Sequence, residues 1–317
     1  MASFIWRINS PYTVTTSFDI RQAIDASHID SPMSPIDQFV STNQELMALL
    51  IDPNNFEGRI NDLRTSGQIK ITNKSLVQIN NSLFNSSLIS PVLANLVLLG
   101  HISAVESYFR TVFRKLILID TITQEACYEK MLSYSAVLFH DEKSLPDALL
   151  EFISFSGKHN IEESLKQYFG VKGHLSPTIA RHLEEFAKVC QMRHCIVHKF
   201  GRLGSNNLKH DLVGHKSYIN KPIKNDFNSI QEISQICTNL VHEINQYLWQ
   251  NVMMRQIADY NSNRWYKKSN IIWTLNWKND RIRFKKYFDI FFSNYSLPIN
   301  SEMKAAYLDY KNIYLTM

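Results

Sequence analysis

The stretch PVLANLVLLGHISAVESYFRTVFRKLILI, residues Pro91–Ile119, decides the fold. Its apolar side chains recur at three- and four-residue steps, at Ile102, Val105, Phe109, Val112 and Leu116. That period places them on one face of an α-helix. The stretch therefore predicts a long helix whose apolar face is buried in a helical core.

Further helices are predicted on both sides of a second long helix. Three short ones follow the first helix, over residues 125–140, 145–155 and 161–169. The second long helix begins at Ser176, because serine is a good N-cap and Pro177 suits the first helical position. It is predicted to stop near Gly201.

A last long helix is predicted after the polar connection 201–225, with Asp226 as its N-cap. It has the cleanest periodicity in the chain, at Ile230, Ile233, Cys237, Leu240, Ile244, Leu248 and Val252. Each apolar stripe must be buried against another. Amphipathic helices joined by such connections therefore predict a mainly α fold, an up-and-down helical bundle.

The chain of 317 residues exceeds the usual size of one core, so we predict three regions. Residues 1–85 carry the extended patterns TVTTSFDI (13–20) and GQIKITNK (67–74) between turn residues, which predict a small mixed α/β unit. Residues 86–254 hold the helical bundle. Residues 255–317 form a basic, aromatic C-terminal extension.

The C-terminal extension holds the whole positive excess of the chain. It contains 11 Lys and Arg against 5 Asp and Glu, or +6, so the remainder of a +5 chain sums to −1. Its aromatic residues include Trp265, Tyr266, Trp273, Trp277, Tyr287, Phe291 and Phe292. Its cations include Lys267, Lys268, Lys278, Arg281, Arg283, Lys285 and Lys286.

Cations that neutralise phosphates, beside rings that stack on bases, are the usual footprint of a nucleic-acid surface. We therefore predict that this extension contacts RNA. The alternative is a small folded cap whose basic face is simply solvated.

Composition excludes several other classes. No uninterrupted apolar run reaches the roughly 18 residues of a membrane span, and residues 1–14 lack the pattern of a secretory signal. The four cysteines are far apart without a CxxC pair, which indicates reduced thiols. We expect a cytoplasmic protein without membrane contact.

No phosphate-binding GxxxxGK[ST] loop, GxGxxG turn or GxSxG elbow is present. No cofactor is predicted.

The segment RHCIVH, Arg193 to His198, carries the candidate chemistry. On a helical wheel Arg193 falls near the middle of an apolar stripe formed by Phe186, Val189, Ile196 and Val197. A guanidinium there is costly unless it is paired or faces a polar site. His194 and His198 lie one turn apart, beside the arginine.

This segment resembles the motif of the HEPN superfamily, in which a late bundle helix carries Arg, a polar residue, a few further residues and then His. The resemblance covers about residues 85–255. It implies a metal-independent endoribonuclease, often a toxin or antiviral effector, in which two copies of the motif meet across a homodimer. It also implies an antitoxin or a sensor as a candidate partner.

The resemblance assigns roles to four residues. His198 would take the proton of a ribose 2′-OH or protonate the leaving 5′-oxygen. Arg193 would hold the scissile phosphate, His194 would orient it, and Glu106 would pair with Arg193 or the histidines. The expected product has a 2′,3′-cyclic phosphate end.

Other interpretations stay open at this point. Glu106 has an alternative in an intrahelical pair with Arg110. His194 and His198 also suit zinc, with His182, His210 or His215 as a third ligand. In a purely structural reading the histidines are exposed and Arg193 is paired inside the core.

The other function class is a HEPN-like module without catalysis that binds RNA or a nucleotide. In either case Lys199 and Arg202, beside the motif, are predicted RNA contacts. They join Lys267, Lys268, Arg281, Arg283, Lys285 and Lys286 in the C-terminal extension.

Overall fold

The computed structural model describes residues 19–25, 27, 32–50, 91–171, 174–208, 216–256, 273–295 and 302–316. Within these ranges the structure is helical, and β pairing is limited to an isolated bridge between Arg202 and Pro222. The mainly helical fold class is therefore confirmed. The α-helices are α1 (Pro35–Ala48), α2 (Pro91–Ile119), α3 (Thr121–Cys127), α4 (Tyr134–Phe139), α5 (Leu145–Leu150), α6 (Lys158–Gln167), α7 (Pro177–Lys199), α8 (Ser205–Leu208), α9 (Phe227–Met254), α10 (Trp277–Phe291) and α11 (Met303–Thr316).

Contacts along the chain separate residues 1–32 from residues 33–317, and the α-helices named above all lie in the second unit. The described part of the first unit contains a 3₁₀ helix, Ile20–Ala23. The extended pattern predicted over residues 67–74, and residues 13–18 of the pattern predicted over 13–20, lie outside the described residues. The last residue of the latter pattern, Ile20, begins the 3₁₀ helix instead.

α1 is part of the helical bundle, although the predicted boundary at residue 85 assigns it to a separate N-terminal region. Its Ile36 and Phe39 are buried in the same core as α2. A Cβ on Gly100 of α2 would lie 2.5 Å from Leu46 Cδ2, so glycine permits the two helices to approach closely. The boundary at residue 85 thus separates two helices that pack on each other.

The turn-like segment before α1 explains why the sequence did not reveal this helix. Ser34 and Pro35 read as turn residues, but Ser34 Oγ accepts a hydrogen bond from Asp37 N at 3.2 Å and caps the helix. Pro35 occupies the first helical position. The same residue types therefore begin a helix rather than interrupt one.

α1 and α2 run antiparallel. Lys115 Nζ donates to the Met33 carbonyl at 3.4 Å near one end, and Asn43 Oδ1 lies 2.5 Å from His101 Nδ1 further along. From the first contact to the second, the residue number increases along α1 and decreases along α2, which is the pattern of antiparallel helices.

α2 and α9 run parallel, with α7 antiparallel to α2. Asn225 Nδ2 donates to Asn95 Oδ1 at 2.7 Å where α2 and α9 begin, and Tyr108 Oη donates to Asn245 Oδ1 at 3.1 Å midway. Gly201, at the end of α7, lies beside Asn95. The four long helices therefore alternate in direction along the chain, as an up-and-down arrangement requires.

The predicted apolar stripes of α2 and α9 are buried throughout. An 18-residue window of α2 also has a mean hydropathy of 1.4, so its length and composition alone suit a membrane span. Half of that window is buried inside the molecule, and α2 packs on α1, α7 and α9. Its packing is that of a core helix.

The predicted helix over residues 125–140 is split into α3 and α4. Each piece has its own N-cap: Asp120 Oδ2 accepts from Thr123 N at 2.8 Å at the start of α3, and Ser133 Oγ accepts from Ala136 N at 3.2 Å where the chain restarts as α4. The next two helices are confirmed with shifted ends, as α5 and α6.

The predicted ends of α7 and the start of α9 are confirmed. Ser176 Oγ accepts from Ile179 N at 3.3 Å, and Asp226 Oδ1 accepts from Ser229 N at 2.8 Å. α7 ends at Lys199, and Gly201 adopts a positive φ of 76° just beyond it. Glycine reaches that conformation at little cost.

Candidate active site

The predicted motif occupies the last two turns of α7. Arg193 is half-buried, whereas His194 and His198 are exposed. The centroids of the two imidazole rings are 4.6 Å apart, and the ring planes are inclined by 51°. The structure therefore brings both histidines to one solvent-facing edge of the helix, beside the arginine.

The apolar stripe around Arg193 opens to solvent along the helix. Phe186 and Val189 are buried, Ile196 is half-buried, and Val197 is 48% exposed. Arg193 lies at the transition, which corrects the prediction of a continuous apolar face around it. A guanidinium at such an edge keeps contact with water and avoids most of the cost of burying a charge.

No described residue forms an ion pair or a hydrogen bond with the Arg193 guanidinium. This observation disagrees with the interpretation in which Arg193 is paired inside the core. Within the described part of the chain its five donors are available to a ligand.

Glu106 and Arg193 both act electrostatically on the Cys190 thiol. Burial, and to a smaller extent the Glu106 carboxylate, raise the pKa of this thiol to about 12, although Arg193 opposes the shift. The thiol therefore stays protonated at neutral pH. The half-buried Glu106 forms no ion pair with Arg193.

The alternative pair between Glu106 and Arg110 is not formed, because Arg110 is engaged elsewhere. Its guanidinium donates to the backbone carbonyls of Leu150 and Ile153 and lies 5.6 Å from the centroid of the Phe155 ring. Arg110 therefore fastens the end of α5 to α2.

Several asparagines that position this end of α7 were not predicted. Asn207 is buried, its Nδ2 donates to Gln191 Oε1 at 3.0 Å, and its Oδ1 accepts from Gly204 N at 3.1 Å. Asn95 and Asn225 join the starts of α2 and α9 nearby. Asparagines in a polar connection give no sequence signal that separates a buried role from an exposed one.

Exposed apolar side chains lie at the same end of the bundle as the motif, and we call them the motif-end surface: Val92, Leu96, Val197 and Phe200. Their exposed fractions are 68%, 58%, 48% and 98%. Phe200 also has a left-handed backbone, with φ of 50°. Because Gly201 lies beside Asn95, the start of α2 and the end of α7 lie at the same end of the bundle.

The two predicted RNA contacts next to the motif are both exposed. Arg202 donates to the Asn220 carbonyl at 3.0 Å, which ties it to the connection before α9. The stem of Lys199 lies against Gly204, where an added Cβ would be 2.9 Å from its Cε.

The predicted C-terminal cations lie on an exposed face of α10 where they are described. They are Arg281, Arg283, Lys285 and Lys286, whereas Lys267 and Lys268 lie outside the described residues. Lys285 pairs with Asp289 at 2.5 Å, and Arg283 lies 5.7 Å from the centroid of the Trp273 ring.

The predicted stacking of C-terminal aromatic rings on bases is wrong for the buried members. Trp273, Tyr287 and Phe291 are 4%, 1% and 5% exposed, because this side of α10 packs on the bundle and on α11. Trp265 and Tyr266 lie outside the described residues. α10 and α11 thus form a folded cap with an exposed basic face, and RNA contact by its cations stays a prediction.

The four cysteines are free, and Cys190, Cys195 and Cys237 are buried, as the sequence predicts. Within the described ranges no three His, Cys, Asp or Glu side chains are grouped closely enough to hold a metal ion. His210 and His215 lie outside those ranges.

No family model, curated protein or solved structure matches this chain. The fold and the site themselves define a mainly helical bundle that presents one arginine and two histidines at a solvent-facing helix edge. The HEPN resemblance remains a prediction from the motif residues.

Proposed function

We propose that this protein is a metal-independent endoribonuclease of the HEPN type, in a toxin or antiphage defence system. The observation that carries the proposal is Arg193, a half-buried guanidinium without an ionic partner among the described residues, beside two exposed imidazoles. A cation that is held in place but not neutralised suits a phosphodiester.

In the proposed reaction, the ribose 2′-oxygen attacks the adjacent phosphorus and the bond to the 5′-oxygen breaks. His198 accepts the 2′-OH proton, since an imidazole titrates near neutral pH. Arg193 binds the phosphate oxygens as their negative charge grows, and His194 orients the phosphate. The products are a 2′,3′-cyclic phosphate and a free 5′-OH.

Glu106 has a positioning role in this proposal. Its carboxylate and the Arg193 guanidinium both act electrostatically on the Cys190 thiol, which burial keeps neutral. The carboxylate therefore attracts Arg193 toward α2 without closing an ion pair that would compete with RNA.

We further propose that two copies associate through the motif-end surface, so that the second His198 protonates the leaving 5′-oxygen. Phe200 supports this, because an aromatic side chain that is 98% exposed adds apolar area to water without stabilising the monomer. Such side chains are typical of the centre of an interface.

The deciding experiment incubates purified protein with total cellular RNA in excess EDTA, beside His198→Ala and the matched control His182→Ala. His182 lies on the same helix, outside the motif. We expect cleavage by the wild type and His182→Ala, and a roughly 10²–10⁴-fold lower rate for His198→Ala. Cleaved fragments should end in a 2′,3′-cyclic phosphate.

Cleavage that stops with EDTA, or that continues in His198→Ala, would overturn the proposal. The second candidate function is a non-catalytic RNA-binding module, which the exposed cations of α10 favour. In that case all three proteins bind RNA equally without cutting it, and overexpression of wild type and His198→Ala is tolerated equally well.

A further inference from the structure

A cavity of about 120 Å³ lies among α1, α9, α10 and α11, and no residue of the motif helix α7 is among its described lining residues. Its walls include the rings of Trp249, Phe288, Phe291 and Phe292. No Lys, Arg, Asp or Glu contributes to the lining among the described residues. The cavity therefore suits an uncharged ligand and does not suit a phosphate or a carboxylate.

The aromatic walls indicate the shape of the ligand. Phe288 and Phe292 are stacked, with centroids 4.7 Å apart and planes inclined by 19°, and Trp249 and Phe291 lie 5.8 Å apart. Flat ring faces pack best against another planar ring. An enclosed apolar cavity of roughly 150 Å³ accepts benzene. This cavity is smaller but partly open to solvent, so it suits one ring inside and the rest of a ligand at its mouth.

His242 supplies a polar group in the wall. It is half-buried, and no described residue hydrogen-bonds to its imidazole. Burial lowers its pKa, while the nearby Glu243 raises it, so the neutral ring offers an acceptor nitrogen at neutral pH.

The wall holds two amides and a hydroxyl besides His242. Asn245 accepts from Tyr108 Oη at 3.1 Å and donates to the Phe291 carbonyl at 2.8 Å, and Ser293 Oγ donates to Asp37 Oδ1 at 2.7 Å. Gln246 is exposed to solvent. His242 is therefore the half-buried polar group of this wall that is left to recognise a ligand.

We propose that this cavity is a binding site for a small, uncharged, planar aromatic compound that donates one N–H or O–H to His242. The site is independent of the proposed ribonuclease chemistry. It lies between α9 and the C-terminal helices, so a bound ring fastens α10 and α11 to the bundle.

The test uses indole and its hydrocarbon analogue indene, which share a shape and differ in the N–H group. Binding to the full chain is measured by calorimetry and thermal unfolding. We expect indole to raise the Tm by about 2–4 °C at a hundredfold excess over its Kd. Indole should bind roughly tenfold more tightly than indene, and His242→Leu should abolish that preference.

Ala306→Phe fills the cavity and should abolish indole binding, whereas the matched variant Ala306→Ser should retain it. Ala306→Met replaces the phenylalanine variant if circular dichroism shows that the latter is unfolded. The absence of any Tm shift with indole at millimolar concentration in the wild type would overturn the proposal. So would equal binding of indole in the filled variant, or of indole and indene in the wild type.

Discussion

Arg193 and Arg255 both lie against apolar helices, but their surroundings differ completely. Arg255, just after α9, is fully buried, and its guanidinium donates to Asp120 at 2.5 Å and to the Phe169 carbonyl at 2.8 Å. It also lies 4.6 Å from the centroid of the Phe169 ring. Arg193 is half-buried, and no described residue pairs with it.

The difference separates a structural cation from a candidate binding cation. A guanidinium inside the core is tolerable only when it is paired and hydrogen-bonded, and both terminal nitrogens of Arg255 donate to buried acceptors. Arg193 avoids the condition by staying at the solvent edge. At the C-terminal end of α2 the buried arginine is therefore neutralised by an ion pair with Asp120. At the motif end the arginine faces solvent without an ionic partner among the described residues.

Removing Arg255 should destabilise the protein strongly, whereas removing Arg193 should hardly change its stability. Arg255→Met leaves the buried Asp120 carboxylate unpaired, so we expect the free energy of unfolding to fall by about 3–5 kcal/mol. Arg193→Met should change it by less than about 0.5 kcal/mol while abolishing RNA cleavage. Urea denaturation at pH 7 measures both, and equal losses would contradict the comparison.

A buried histidine within α2 tests whether the helical core excludes charge in general. His101 is fully buried against Asn43, and burial lowers its pKa from 6.5 to about 4. The unfolded chain therefore binds a proton below pH 6.5 that the folded chain refuses, and stability falls as the pH drops toward 4.

The expected loss over that pH range is on the order of 3 kcal/mol. Urea midpoints measured from pH 7 to pH 4 report it. His101→Gln replaces the imidazole N–H with an amide N–H donor that does not titrate, so the stability of this variant should depend less on pH. Identical pH profiles for the two proteins would show that His101 is not the group responsible.

A second substitution shows whether the cost of Arg255→Met comes from the stranded charge. Asp120→Asn removes the carboxylate charge and keeps an oxygen that caps α3. In the double variant we expect about 1–3 kcal/mol of the lost stability to return. A double variant no more stable than Arg255→Met would assign the loss to packing on Phe169 instead.

The smallest expected effect concerns Phe200, at the motif end of the bundle. Phe200 combines a left-handed φ of 50° with 98% exposure, so Phe200→Gly should stabilise the monomer by about 1 kcal/mol. The same change should weaken the proposed dimer, which analytical ultracentrifugation measures. A less stable monomer would show that Phe200 contributes to packing rather than to association.

Local signals in the sequence predicted the parts of the fold that depend on local chemistry. The stripes of α2 and α9, and the caps at Ser176 and Asp226, depend on residues within one or a few turns. The motif was found for the same reason, since its members lie on one helix.

The features that depend on distant residues were not predicted. Asp120 and Arg255 are separated by 135 positions, so no local pattern links them. The rings of Trp273 and Tyr287 have the same neighbours in sequence whether they face a core or a nucleic acid. Only the packing of α10 on the bundle distinguishes the two cases.

The apolar character of α2 has a consequence for how the chain is made. α2 ends at residue 119 and its parallel neighbour α9 begins at residue 227, so a ribosome adds 107 residues between them. At about 5–20 residues per second this takes about 5–20 s. During that interval the face of α2 that later meets α9 lacks its partner. Chains released prematurely before residue 227 should therefore require chaperones to stay in solution.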